Sequence, residues 1–107
     1  MPTYAVLYKY TTEGAKSVRG TVKRAGRIRQ ANARAGFTVR EVFWTQGPYD
    51  MLAIVDAPSE EAMMGAMLNV VGAGNVTATT MRAFDAVEMG RILAISEPLT
   101  EEPAEPA

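Results

Sequence analysis

The residue types able to do chemistry gather around one short stretch: Trp44, then Tyr49 and Asp50 within Gly47-Pro48-Tyr49-Asp50. A carboxylate beside two amphipathic aromatics can recognise a polar ring, or act as a general base where burial raises its pKa. The same residues are good turn chemistry, with Asp50 accepting from nearby backbone amides and Tyr49 packing over the loop, and this plainer reading has the greater weight. Arg29 joins the set from a helix. At about 100° per residue it falls among Val22, Ala25 and Asn32 and not with the other cations. A guanidinium placed there either holds a carboxylate or phosphate ligand, or snorkels, or pairs with Glu41, Asp50 or Asp56.

Counting removes most other chemistry. The 107 residues include no Cys and no His, so a thiolate nucleophile, a disulfide frame, an imidazole base and a Cys/His zinc site are all excluded. No metal-ligand cluster is evident either, and no cofactor is expected. The seven methionines read as gap-filling core more readily than as the lining of a pocket. Net charge is −1, but eight cations and no acid lie between Lys16 and Arg40, leaving −9 on the rest of the chain. Lys16, Lys23, Arg27 and Arg34 form a stripe opposite Val22, Ala25, Ile28, Asn32 and Ala35. Without interleaved aromatics it reads as a solvated face, and nucleic-acid binding is not expected.

These groups must be positioned by ordinary elements. Thr3 to Tyr10 is rich in aromatic and branched residues and predicts a strand, stopped by Thr11, Thr12 and Gly14. Ala15 to Ala35 predicts a short turn and then a long helix, with Gly20 as the interruption, Thr21 as a fresh cap and Gly36 as the left-handed stop. Thr38 to Gln46 and Met51 to Asp56 predict a hairpin across the Gly47–Asp50 turn. Ser59 caps a second helix whose Met63, Ala66, Met67 and Val70 share a face. Asn75 to Ala83 is a weaker strand, and Asp85 to Glu88 opens a last short helix.

The order β-α-β-β-α-β is the ferredoxin-like, α+β arrangement: a four-stranded antiparallel sheet with two helices on one face, plus the short C-terminal helix. One domain is expected over 1–96. Glu97, Glu101, Glu102 and Glu105 beside Pro98, Pro103 and Pro106 predict a disordered acidic tail over 97–107. Strand residues alternate sides, yet both sides are apolar: Tyr4, Val6 and Tyr8 against Ala5 and Leu7; Val42 and Trp44 against Val39 and Phe43; Leu52 and Ile54 against Met51, Ala53 and Val55. The expectation is a homodimer or larger closed oligomer, two sheets paired face to face across a two-fold axis as in a dimeric α+β barrel.

Several matches then recur in one order: Met1-Pro2-Thr3-Tyr4, Leu7-Tyr8-Lys9-Tyr10, Lys23-Arg24, Trp44-Thr45-Gln46-Gly47-Pro48-Tyr49-Asp50, Gly74-Asn75-Val76 and Arg82-Ala83-Phe84. With these the chain resembles the GYD-domain family over about residues 2–93. Gly47, Tyr49 and Asp50 carry the signature, and Pro48 stands within it. The resemblance implies a small bacterial-type ferredoxin-like domain, similar in outline to dimeric α+β-barrel proteins, whose biochemical role is open.

Two function classes follow. The first is a homo-oligomeric ligand-binding or regulatory domain, with Trp44, Tyr49, Asp50 and Arg29 as candidate contacts to a small molecule. The second is a cofactor-free enzyme, monooxygenase- or isomerase-like, acting on a small aromatic or anionic substrate; no catalytic residue is assigned. The N-terminus has no basic segment followed by a long apolar one, and no apolar run is long enough for a membrane span, so a cytoplasmic protein without a membrane partner is expected.

Overall fold

The computed structural model describes residues 1–98. Strand β1 is Thr3–Tyr10, helix α1 Thr12–Lys16, a 3-10 turn Val18–Gly20, helix α2 Thr21–Arg34, strands β2 Thr38–Trp44 and β3 Met51–Asp56, helix α3 Glu60–Gly72, strand β4 Val76–Ala83 and helix α4 Ala86–Ile95. The strands form one antiparallel sheet in the order β2-β3-β1-β4. This is the α+β, ferredoxin-like arrangement. The first βαβ crossover leaves a place beside β1 that β3 then fills, and the second carries the chain from β3 past β1 to β4, with α2 and α3 over the same sheet face. Of the acidic tail expected over 97–107, all but Glu97 and Pro98 lies outside the described residues.

Register places side chains in rows. On the helix side run Val39–Val55–Tyr4–Arg82, Val42–Ala53–Val6–Thr80 and Trp44–Met51–Tyr8–Ala78. Val6 is fully buried at the centre, with Tyr4, Ala53 and Val55 around it and Phe37 and Met63 above. The opposite face carries Glu41–Ile54–Ala5–Met81 and Phe43–Leu52–Leu7–Thr79, and Phe43 and Met81 there are exposed.

Three local expectations change. Simple alternation puts Val39 with Phe43, but a β-bulge between Val39 and Glu41 inserts Arg40 and turns Val39 to the core side with Val42. Thr21 does not cap α2. Gly20 is the cap residue and makes no side-chain bond, while the Thr21 hydroxyl faces the sheet. Strand β2 stops at Trp44 because Thr45 already belongs to the turn, its amide bonding to Asp50 O at 2.9 Å.

The other caps follow the sequence. Ser59 accepts from the Ala62 amide, Asp85 and Glu88 form a reciprocal capping box, and Gly36 sits at φ 89° just after α2. Gly14 is required by proximity: a Cβ there would lie 1.9 Å from Asn75 O, the same oxygen that accepts from the Thr11 amide at 3.1 Å. The start of β4 is thereby pinned to the end of β1.

Candidate functional site

The signature turn is built around Asp50. Its amide donates to Tyr8 O at 2.8 Å, and its carboxylate Oδ2 accepts from the Tyr10 amide at 2.8 Å. The side chain thus replaces the strand partner that β1 lacks beyond Tyr8, where pairing with β3 ends. Thr45 closes the turn from the other side, its hydroxyl donating to Tyr49 O. Gly47 adopts φ 122°, a backbone conformation that side chains rarely take. Tyr49 and Asp50 are half-buried, whereas Thr45 to Pro48 are exposed.

Arg29 lies elsewhere. Its guanidinium donates to Val39 O at 2.6 Å and to Arg40 O at 3.2 Å, the carbonyls on either side of the bulge. None of the carboxylates considered for it is its partner. Asp56 is taken by Arg40 Nε at 2.6 Å and by the Thr3 hydroxyl at 2.6 Å. Burial alone would raise the Asp56 pKa, but those hydrogen bonds and the Arg40 charge outweigh it and hold the carboxyl below its ordinary value.

Trp44 turns to the helix side, half exposed, and its indole donates to Thr21 Oγ1 at 3.1 Å. Tyr10 OH meets the same hydroxyl at 2.9 Å. Thr21 thus joins α2 to two strands of the sheet. Of the four candidate residues, Trp44 and Asp50 meet at the hairpin end through Tyr10, Tyr49 stays within the turn, and Arg29 stands apart at the bulge.

A further concavity is one that the spacing of motifs does not reveal. Helices α2 and α3 splay over the sheet and leave a groove of about 610 Å³, floored by Tyr8, Met51, Ala53 and Val55. No residue of α2 is fully buried, and Ile28, which lines this groove, stays 44% exposed. Arg29 reaches the groove; Trp44, Tyr49 and Asp50 do not line it. Its polar groups are the Tyr8, Tyr10 and Thr21 hydroxyls and the amides of Asn32, Asn69 and Asn75, with Arg24 and Arg29 at the wall. Tyr8 is the group that sequence reasoning passed over. The available signal was three tyrosines, Tyr4, Tyr8 and Tyr10, on one side of one strand, more polar handles than a closed core takes up. Burial pushes the Tyr8 phenol above its ordinary pKa, so it keeps its proton.

Outside the groove, α3 is apolar on its far side as well. Met64, Leu68 and Val71 recur at four- and three-residue spacing and are 62%, 62% and 49% exposed. Among the described residues no group of His, Cys, Asp and Glu is arranged to hold a metal ion, and no helix is long and apolar enough to cross a membrane.

The GYD domain matches residues 4–93. A curated relative from Thermus thermophilus, the glutamine synthetase and cystathionine beta-lyase binding protein, is 32% identical over 93 residues, covering 83% of this chain and 95% of that protein. No solved structure matches.

Proposed function

The chain belongs to the GYD-domain family, and from that premise we propose that it is a small binding protein whose partner is a metabolic enzyme, of the kind its Thermus relative is named for. The observation that carries this reading is the length of that likeness: it spans nearly the whole relative, which is itself described by what it binds. The exposed stripe Met64, Leu68 and Val71 supports it, because a helix apolar on both sides is one that is covered on both sides when partnered. The enzyme docks on that outer face of α3. A second copy of the chain covers the open sheet face, where Phe43 and Met81 are exposed beside half-buried Leu7, Leu52 and Ile54. Trp44, Tyr49, Asp50 and Arg29 stay candidate ligand contacts in this reading, and the cytoplasm is the expected compartment.

The test is capture of glutamine synthetase and of cystathionine β-lyase on the immobilised chain, with affinity read by calorimetry. Saturable binding that Leu68→Glu abolishes, with an unchanged melting curve, is expected. Failure to bind either enzyme, or binding indifferent to Leu68→Glu, would overturn the reading or its surface respectively.

A further inference from the structure

A protein of this size has no reason to leave a groove of about 610 Å³ over its own core. The groove is open to solvent along the helices, with Ala31, Ala35, Gly65 and Ala73 exposed, so its apolar walls are surface that a bound ligand would take out of water. Small residues keep it open: Ala25 and Ala31 on α2 with Ala35 just past its end, and Gly65 and Ala66 on α3 with Ala73 just past its end, all line it. Larger side chains at those positions would have filled the gap. The volume falls within the roughly 300–1,000 Å³ of small-molecule sites, which combine mostly apolar walls with a few convergent polar groups.

We propose that the groove between α2 and α3 is a binding site for an aromatic carbonyl compound, with the ring on Met51 and Met67 and the carbonyl oxygen on the Tyr8 hydroxyl. The lining dictates each part of that description. Thioethers favour the edges of aromatic rings, and Met51 and Met67 supply two. Among the described residues no carboxylate lines the groove, so none of them is there to hold a cationic ligand. Arg24 and Arg29 stand at the wall and donate to carbonyls, Arg24 to Ser17 O at 3.0 Å and Arg29 to Val39 O and Arg40 O. The Tyr8 hydroxyl and the Asn32 and Asn69 amides make no hydrogen bond among the described residues, and a carbonyl oxygen is what such donors satisfy. The site is distinct from the outer face of α3, so the enzyme-binding reading and this one stand or fall separately.

The naphthyl ketone prodan is a suitable probe, since its emission moves to the blue in apolar surroundings and back to the red when its carbonyl accepts a hydrogen bond. Titrated with the full-length chain, it is expected to bind saturably with one molecule per chain. Tyr8→Phe keeps the ring and removes the hydroxyl; it should weaken binding by roughly 5–10-fold and shift bound emission further to the blue. Ala66→Trp should abolish binding by filling the space, and Ala25→Leu fills it from the opposite wall should the tryptophan variant fail to fold. Melting curves by circular dichroism establish that each variant is folded. Prodan binding that is indifferent to both Tyr8→Phe and the filling substitution overturns the site. Displacement of bound prodan by glutamine synthetase would also overturn it, because the groove would then be a protein-docking surface.

Discussion

Asp50 and Arg29 both end on main-chain groups that the sheet itself leaves unpaired, and each is best understood from the partner it satisfies. The Asp50 carboxylate takes the Tyr10 amide where β3 has run out, and the Arg29 guanidinium takes two carbonyls where the bulge breaks the ladder. Replacing Arg29 by Met keeps the stem and removes the donors, and should lower unfolding free energy by about 1–2 kcal/mol in urea titration. Asp50→Asn retains an acceptor, so a loss of about 1 kcal/mol or less is expected. If Asp50 also contacts a ligand, the same variant should alter ligand response by more than it alters stability. Asp56 contributes to the acid limb. Its folded pKa lies below the ordinary 3.8, so on acidification the unfolded chain takes up the proton first and stability falls as pH drops through the folded value. Asp56→Asn lacks this dependence. The stability gap between wild type and variant should be full above about pH 5 and shrink below pH 4, as read by denaturant midpoints across that range.

At the scale of elements, the ties between neighbours matter more than any single propensity. The α1 turn is locked to the start of β4 by backbone approach at Gly14, with the Thr11 hydroxyl donating to Gly74 O at 2.6 Å. Gly14→Ala should therefore destabilise the protein although alanine is the better helix former; the added methyl meets a main-chain oxygen that cannot swing away. A loss of about 2–3 kcal/mol in thermal or chemical unfolding is the expected result. Gly26→Ala on α2 is the control, since nothing lies near its added Cβ, and it should be neutral or stabilising by up to about 1 kcal/mol. Helix α3 shows why a face count can mislead. Its Met63, Ala66 and Met67 turn inward as their spacing predicts, while Met64, Leu68 and Val71 make the outer side nearly as apolar.

At the scale of the whole molecule, the sheet has one face covered by α2 and α3 and one more open face. On the open face Phe43 and Met81 are exposed and Leu7, Leu52 and Ile54 half-buried, and α4 adds exposed Val87, Leu93 and Ile95. Exposure on this scale fits a chain whose native state includes a second copy. Leu7→Glu, in the middle of that face, should shift the mass by light scattering from a dimer or larger closed oligomer to a monomer. A wild-type monomer at micromolar concentration would show that the face is covered otherwise, and an oligomer that survives Leu7→Glu would place the contact elsewhere.

The local sequence was enough for the four strands, the longer helices, their order and the signature turn, because periodicity, capping and turn chemistry act over a few residues, though it was not enough for the short helix Thr12–Lys16. Ser59, Asp85, Gly36 and the Gly47–Asp50 connection are all legible in that way. The bulge at Arg40 was not: it is a register slip, set by how β2 pairs with β3, and it moved Val39 to the other face. The partners of Arg29 are consequences of that slip, so three plausible carboxylates gave way to two carbonyls. The groove is likewise a property of the separation between α2 and α3, two elements some forty residues apart in the chain. Helical spacing can say that Ala25 and Ala66 face inward, but only the packing of both helices on one sheet decides whether the space between them is filled or left open.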